Sequence, residues 1–112
     1  MSTTGTTIDD PVVAAFVATV NRHDREGFLD AFIDGGVVDD WGRTFTGRDE
    51  IAAWSDREFI GSRGVLTPEE VRAADGAVTV VGDWRSTHAN GRSSFTFQLD
   101  GSRIASMTIR EG

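Results

Sequence analysis

The chain has 112 residues, 38% of them hydrophobic, which sets the expectation of one domain around a single core. Its net charge is −7 and all eleven basic residues are arginine, a balance that argues against nucleic acid and anionic membrane as partners. Without cysteine there is no disulfide, thiolate zinc site or thiol nucleophile, and no apolar run approaches the roughly 18 residues of a membrane span.

Met1 to Thr7 is small and polar, with neither the basic start nor the apolar run of a signal peptide. Residues 1–9 therefore read as a flexible tail, residues 10–112 as the domain, and the protein as cytoplasmic. Asp10-Pro11 opens a first helix, because aspartate caps free N–H groups and proline fits the first turn. Val13, Phe16, Val17 and Val20 follow at helical spacing. Asp24 caps a second, shorter helix carrying Phe28, Leu29, Phe32 and Ile33, and Gly35-Gly36 ends it. Val37 to Trp41 reads as a short strand, followed by a short turn. Thr46-Gly47 starts a third helix, with Asp49 and Glu50 in its first turn and Ile51 and Trp54 on one face. Phe59-Ile60 closes that segment, and Gly61 to Gly64 is a loop.

From Leu66 onward the pattern is that of strands. Asp75-Gly76, Asn90-Gly91 and Asp100-Gly101 tolerate the positive φ angles of tight hairpin turns. They delimit four strands, roughly 66–74, 77–88, 92–99 and 102–110, in an antiparallel meander. Pro68 delays the first strand or places it at an edge, and Gly82 marks a bulge or bend. Alternation puts Phe95, Phe97 and Leu99 on one face and Ser94, Thr96 and Gln98 on the other. In the last strand Ala105, Met107 and Ile109 oppose Ser106, Thr108 and Arg110. In the second, Val78, Val80, Trp84 and His88 fall together. Helices first and a meander afterwards argue an α+β fold, with the helices on one face of a curved sheet.

Alternation sends Asp39 and Asp40 to opposite faces. A carboxylate that loses hydration in an apolar cavity becomes a better base. The plainer reading of Asp40 has it cap the next turn or pair with Arg43, and Asp39 is expected in solvent. His88 shares a face with Trp84 yet sits near a hairpin tip, where solvent is its ordinary place. The two histidines are far apart and lack clustered acids, so no metal and no cofactor are expected.

This order of elements resembles the nuclear-transport-factor-2-like superfamily, which includes steroid Δ5-isomerases, SnoaL-like polyketide cyclases, scytalone dehydratase and limonene-epoxide hydrolase. The similarity spans roughly residues 12–110 and is nearest in pattern to the bacterial steroid isomerases. Phe16-Val17-Ala18 through Asn21, Asp24, Gly27 and Phe32 to Asp40 runs in step with their first two helices and first strand. Gly47, Ile51 and Trp54 recur in the third helix, and Val71-Arg72-Ala73 and Ser106-Met107 in the sheet. The resemblance implies a cone, three helices wrapped by a strongly bent, mostly antiparallel sheet, with an apolar pocket at one end. It implies a pocket lined by Phe16, Trp41, Trp54, Phe59, Trp84, Phe95, Phe97 and Met107. Members commonly dimerise through the outer sheet face, which here carries weakly charged residues such as Ser94, Thr96 and Thr108.

Asp40 falls where the isomerases carry their general base. Their oxyanion donors, a tyrosine and a protonated aspartate, are matched here by Phe16 and Phe95, and the chain has no tyrosine. Steroid isomerisation is therefore expected to be absent or very weak. Three readings stand. The first is an isomerase, cyclase or dehydratase acting on a small apolar, cyclic or carbonyl-bearing molecule, with Asp40 as base and His88 or Trp84 donating. The second is a non-catalytic binder with the same pocket. The third is an interaction module using the outer sheet face.

Overall fold

The computed structural model describes residues 6–112. Three helices precede most of the sheet: α1 (Pro11–Asn21), α2 (Arg25–Asp30) and α3 (Gly47–Glu58). The strands are β1 (Phe32–Asp40), β2 (Arg43–Thr46), β3 (Val65–Ala74), β4 (Ala77–Arg85), β5 (Gly91–Asp100) and β6 (Arg103–Glu111). They form one sheet in the order β2-β1-β6-β5-β4-β3. β3 to β6 pair sequentially and antiparallel, as the turn signals imply. β1 joins β6 in parallel, a pairing that no local pattern announces.

The caps act as the sequence suggests. Asp10 Oδ1 accepts from the N–H groups of Val12 and Val13, and Asp24 Oδ1 from that of Gly27. Glu50 Oε1 reaches back to the Thr46 N–H at the start of α3. The bend has visible sources. The β3–β4 register shifts between Pro68 and Glu70, opposite Gly82 and Val81, and β3 is an edge strand. Such bulges bend and twist a strand. The helices lie on the concave face, where Val13, Phe16, Val17, Phe28 and Trp54 form one core with Val38, Val80, Phe97, Ile104 and Met107.

Four expectations are corrected. The second helix stops at Asp30, and Phe32 already belongs to β1. Gly35-Gly36 is a register break inside that strand, between the Phe32–Ile104 and Val37–Ser106 pairs, rather than a helix end. The expected turn after Trp41 is a hairpin, because Arg43 to Thr46 pairs back on β1. β4 ends at Arg85, so Asn90-Gly91 closes a longer loop. There the Ser86 hydroxyl accepts from the His88 and Ala89 N–H groups, and Asn90 Oδ1 accepts from the Ser86 N–H. These side chains compete with the ladder for backbone partners and end the strand early. The expected tail, residues 1–9, lies outside the described residues up to position 5. Beyond it, Thr6 donates to the Pro68 and Glu69 carbonyls and Ile8 packs on the core.

Candidate functional site

A cavity of about 260 Å³ opens where the β1–β2 hairpin, the end of α3 and the β4–β5 loop meet. Trp41, Trp54, Phe59, Trp84 and Phe95 form one side of it, and polar residues from Asp40 to Asn90, Arg92 and Ser93 the other. Phe45, Trp54, Phe59 and Trp84 stack in a row, with centroids 5.8, 4.9 and 4.6 Å apart, and Phe95 tilts against Trp84 at 5.7 Å. Gly64 makes the row fit, because a Cβ there would stand 2.1 Å from the Trp84 ring.

One end of the cavity is polar. The Asp40 side chain is only 14% exposed, and its Oδ2 accepts from Trp54 Nε1 at 3.1 Å and from Arg43 Nη2. Asp40 Oδ1 receives no hydrogen bond among the described residues, so one carboxylate oxygen is tied and the other is not. Arg43 also grips Glu58, Nη1 to Oε2 at 3.1 Å and Nη2 to Oε1 at 2.6 Å. The Glu58 side chain is 13% exposed, and His88 Nε2 lies 3.3 Å from its Oε1. Arg43 first, with His88 a smaller influence, holds the Glu58 carboxyl below the usual carboxylate range. Between its two carboxylates Arg43 stays charged throughout the ordinary pH range.

Asp39 points to the other sheet face, as alternation requires. It is paired rather than free in solvent: Arg110 grips it at 3.0 and 3.1 Å, and its Oδ1 accepts from the Gly42 N–H at 2.8 Å. Arg110 chiefly, and Gly42 next, hold the Asp39 carboxyl below its ordinary range.

Of the residues singled out in the sequence, Asp40, Trp41, Trp54, Phe59, Trp84, His88 and Phe95 line this cavity. Phe16, Phe97 and Met107 do not. Phe16 packs against the rings of Phe28, Phe32 and Phe97 at 5.4 to 5.7 Å, and Met107 is fully buried opposite Phe97. They point inward like Phe95, yet Phe97 lies two residues, about 7 Å, further along its strand and under the helices. The plainer expectation for Asp40, a pair with Arg43, is met through the β1–β2 hairpin. Sequence reasoning passed over Glu58. Its signal was the spacing from Trp54, four residues along one helix face.

A model of the SnoaL-like domain matches residues 13–112. The chain belongs to the SnoaL-like domain family. No curated protein matches the sequence. Solved structures share the fold at low identity. SalBIII, described as an epoxide hydrolase/cyclase-like enzyme in pyran ring formation in polyether salinomycin, has a TM-score of 0.81 at 18% identity, over 90% of this chain and 88% of its own. RV0760c from Mycobacterium tuberculosis, in complex with estradiol-17beta-hemisuccinate, has a TM-score of 0.78 at 19% identity, over 90% and 91%. An NTF2-like protein of Cytophaga hutchinsonii has a TM-score of 0.76 at 14% identity, over 98% and 93%. The SnoaL-like fold and the bent sheet around three helices are thus shared. No helix among the described residues is long and apolar enough to cross a membrane.

Proposed function

We propose that this SnoaL-like domain binds a small, largely apolar molecule in the aromatic cavity, and that Asp40 takes a proton from it. The observation that carries this reading is the state of Asp40. Its carboxylate is nearly enclosed and fixed through Oδ2, its Oδ1 receives no hydrogen bond among the described residues, and Asp40 lines a cavity with aromatic rings on one side. That combination orients a base without consuming it. At about 260 Å³ the cavity is just below the range typical of drug-sized ligands, so a ring or two with an oxygen function fits it better than a larger skeleton. SalBIII acts in ring formation and RV0760c holds a steroid ester, which makes ring-bearing molecules the natural class to try.

The reaction class that suits these groups is proton transfer in a cyclisation, isomerisation or dehydration, with His88 returning the proton at the cavity edge. Enolate chemistry of the steroid type is disfavoured, because Phe95 offers no donor on the wall and Phe16 is buried away from it. A purified sample should show saturable binding of small cyclic alcohols or ketones, and Asp40→Asn should remove turnover while retaining binding. Rapid conversion of a Δ5-3-ketosteroid would contradict the reading. The non-catalytic reading is favoured by one observation, the engagement of Arg43 and Trp54 Nε1 with protein carboxylates rather than the cavity. We propose further that the weakly charged outer sheet face, with Ser94, Thr96 and Thr108, pairs with a second copy in the cytoplasm; light scattering giving a monomer mass at micromolar concentration would refute this.

A further inference from the structure

The two residues between β1 and β2 are Trp41 and Gly42, with φ angles of +56° and +93°. Asp40 pairs with Arg43 across them, so this is a two-residue hairpin with both central residues left-handed, the type I′ turn. Its preferred first residue is asparagine, aspartate or glycine. A tryptophan with positive φ is a genuine outlier, since its Cβ crowds the following carbonyl. Trp41 is also 59% exposed, more than any other large apolar side chain in the described residues. Neither the strained backbone nor the exposed indole is repaid by packing.

The turn is nonetheless held firmly. The Trp41 N–H donates to the Ile109 carbonyl at 3.2 Å, and the Gly42 N–H donates to Asp39, which Arg110 clamps from the outer face. The Trp41 backbone is therefore fixed, and the residue lines the cavity beside Asp40. Strain that the surroundings enforce at a site edge points to use.

Resting on the cavity reading above, we propose that Trp41 is the roof of the binding site, and that the ligand is a flat, conjugated one- or two-ring molecule whose face the indole covers. The stacked wall below and the exposed indole at the rim would then enclose a planar ring from two sides. An aliphatic molecule of equal volume would gain burial from the same walls but not the offset ring–ring contact.

The test sets stability against affinity. 2-Naphthol, a planar two-ring alcohol, is titrated into wild type and Trp41→Asn, with decahydro-2-naphthol as the non-planar control, and thermal melts are recorded without ligand. Asn-Gly is the best type I′ pair, so Trp41→Asn should melt about 4 °C higher. It should bind 2-naphthol about tenfold more weakly and lose the preference over the saturated control. Equal affinity for 2-naphthol in variant and wild type overturns the roof, as does a wild type that binds both alcohols alike. A wild type that binds neither alcohol overturns the cavity reading and the roof together. A variant that melts lower than wild type shows Trp41 to be a packing residue and also overturns the proposal.

Discussion

Asp40 has two environments in one side chain. Trp54 Nε1 and Arg43 share Oδ2, while Oδ1 receives no hydrogen bond among the described residues. Alternation separates Asp40 from Asp39 and the family resemblance turns it inward, but its companions come from residues 3 and 14 positions along, through a hairpin and a helix. That changes the expected effect of substitution. An inward carboxylate without a cation is relieved by Asn, whereas one that receives charge-assisted hydrogen bonds loses them. Asp40→Asn should therefore destabilise by about 1–2 kcal/mol, seen as a lower Tm near neutral pH. A Tm above wild type would show that desolvation outweighs the Arg43 contact. Gly64 offers a second residue-scale test. Its missing Cβ leaves room for the Trp84 ring, so Gly64→Ala must push that ring aside, costing about 1–3 kcal/mol. Near-ultraviolet circular dichroism should change along with the melt, since Trp84 lies at the end of the ring row. An unchanged spectrum would place the adjustment in the loop instead.

The β1–β2 hairpin and the β4–β5 loop bring most of the polar groups to the cavity, and they are the elements least legible in the sequence. The helix caps, the meander and its turn at Asp75-Gly76 were readable because each rests on neighbours in the chain. Arg43 to Thr46 has too few residues to show alternation, so it read as a turn. Phe32-Ile33 continued a helical apolar spacing, and only pairing with Ile104 of β6 makes it strand. At Asn90-Gly91 the turn chemistry was real, but Ser86 and Asn90 widened it to a loop carrying His88. On the outer face Asp39 ties the hairpin to β6. Asp39→Ala should speed hydrogen exchange at the Gly42 amide while leaving the amides of β5 unchanged. Equal protection in the variant would mean that the Trp41 N–H bond to Ile109 suffices to hold the turn.

For the whole molecule, acid stability follows from the arginine-held carboxylates. Asp39, Asp56 and Glu58 are all held below their ordinary range, first by Arg110, Arg25 and Arg43 respectively. A carboxyl with a lowered folded pKa contributes stability that is present above its unfolded pKa, about 4, and lost as pH falls through the folded value. The Tm should therefore be level above about pH 5 and fall steadily below pH 4. Glu58→Gln should flatten part of that fall, and a Tm independent of pH down to 3 would refute it. Whether the cavity binds a small ring beside Asp40 is reported directly by the three indole N–H signals. They belong to Trp41 at the rim, Trp54 on Asp40 and Trp84 in the wall. In a two-dimensional ¹⁵N–¹H titration with 2-naphthol, all three should shift saturably with one Kd, and the Trp54 signal should respond differently in Asp40→Asn. Saturable shifts confined to Trp41, or none in any of the three, would contradict the account.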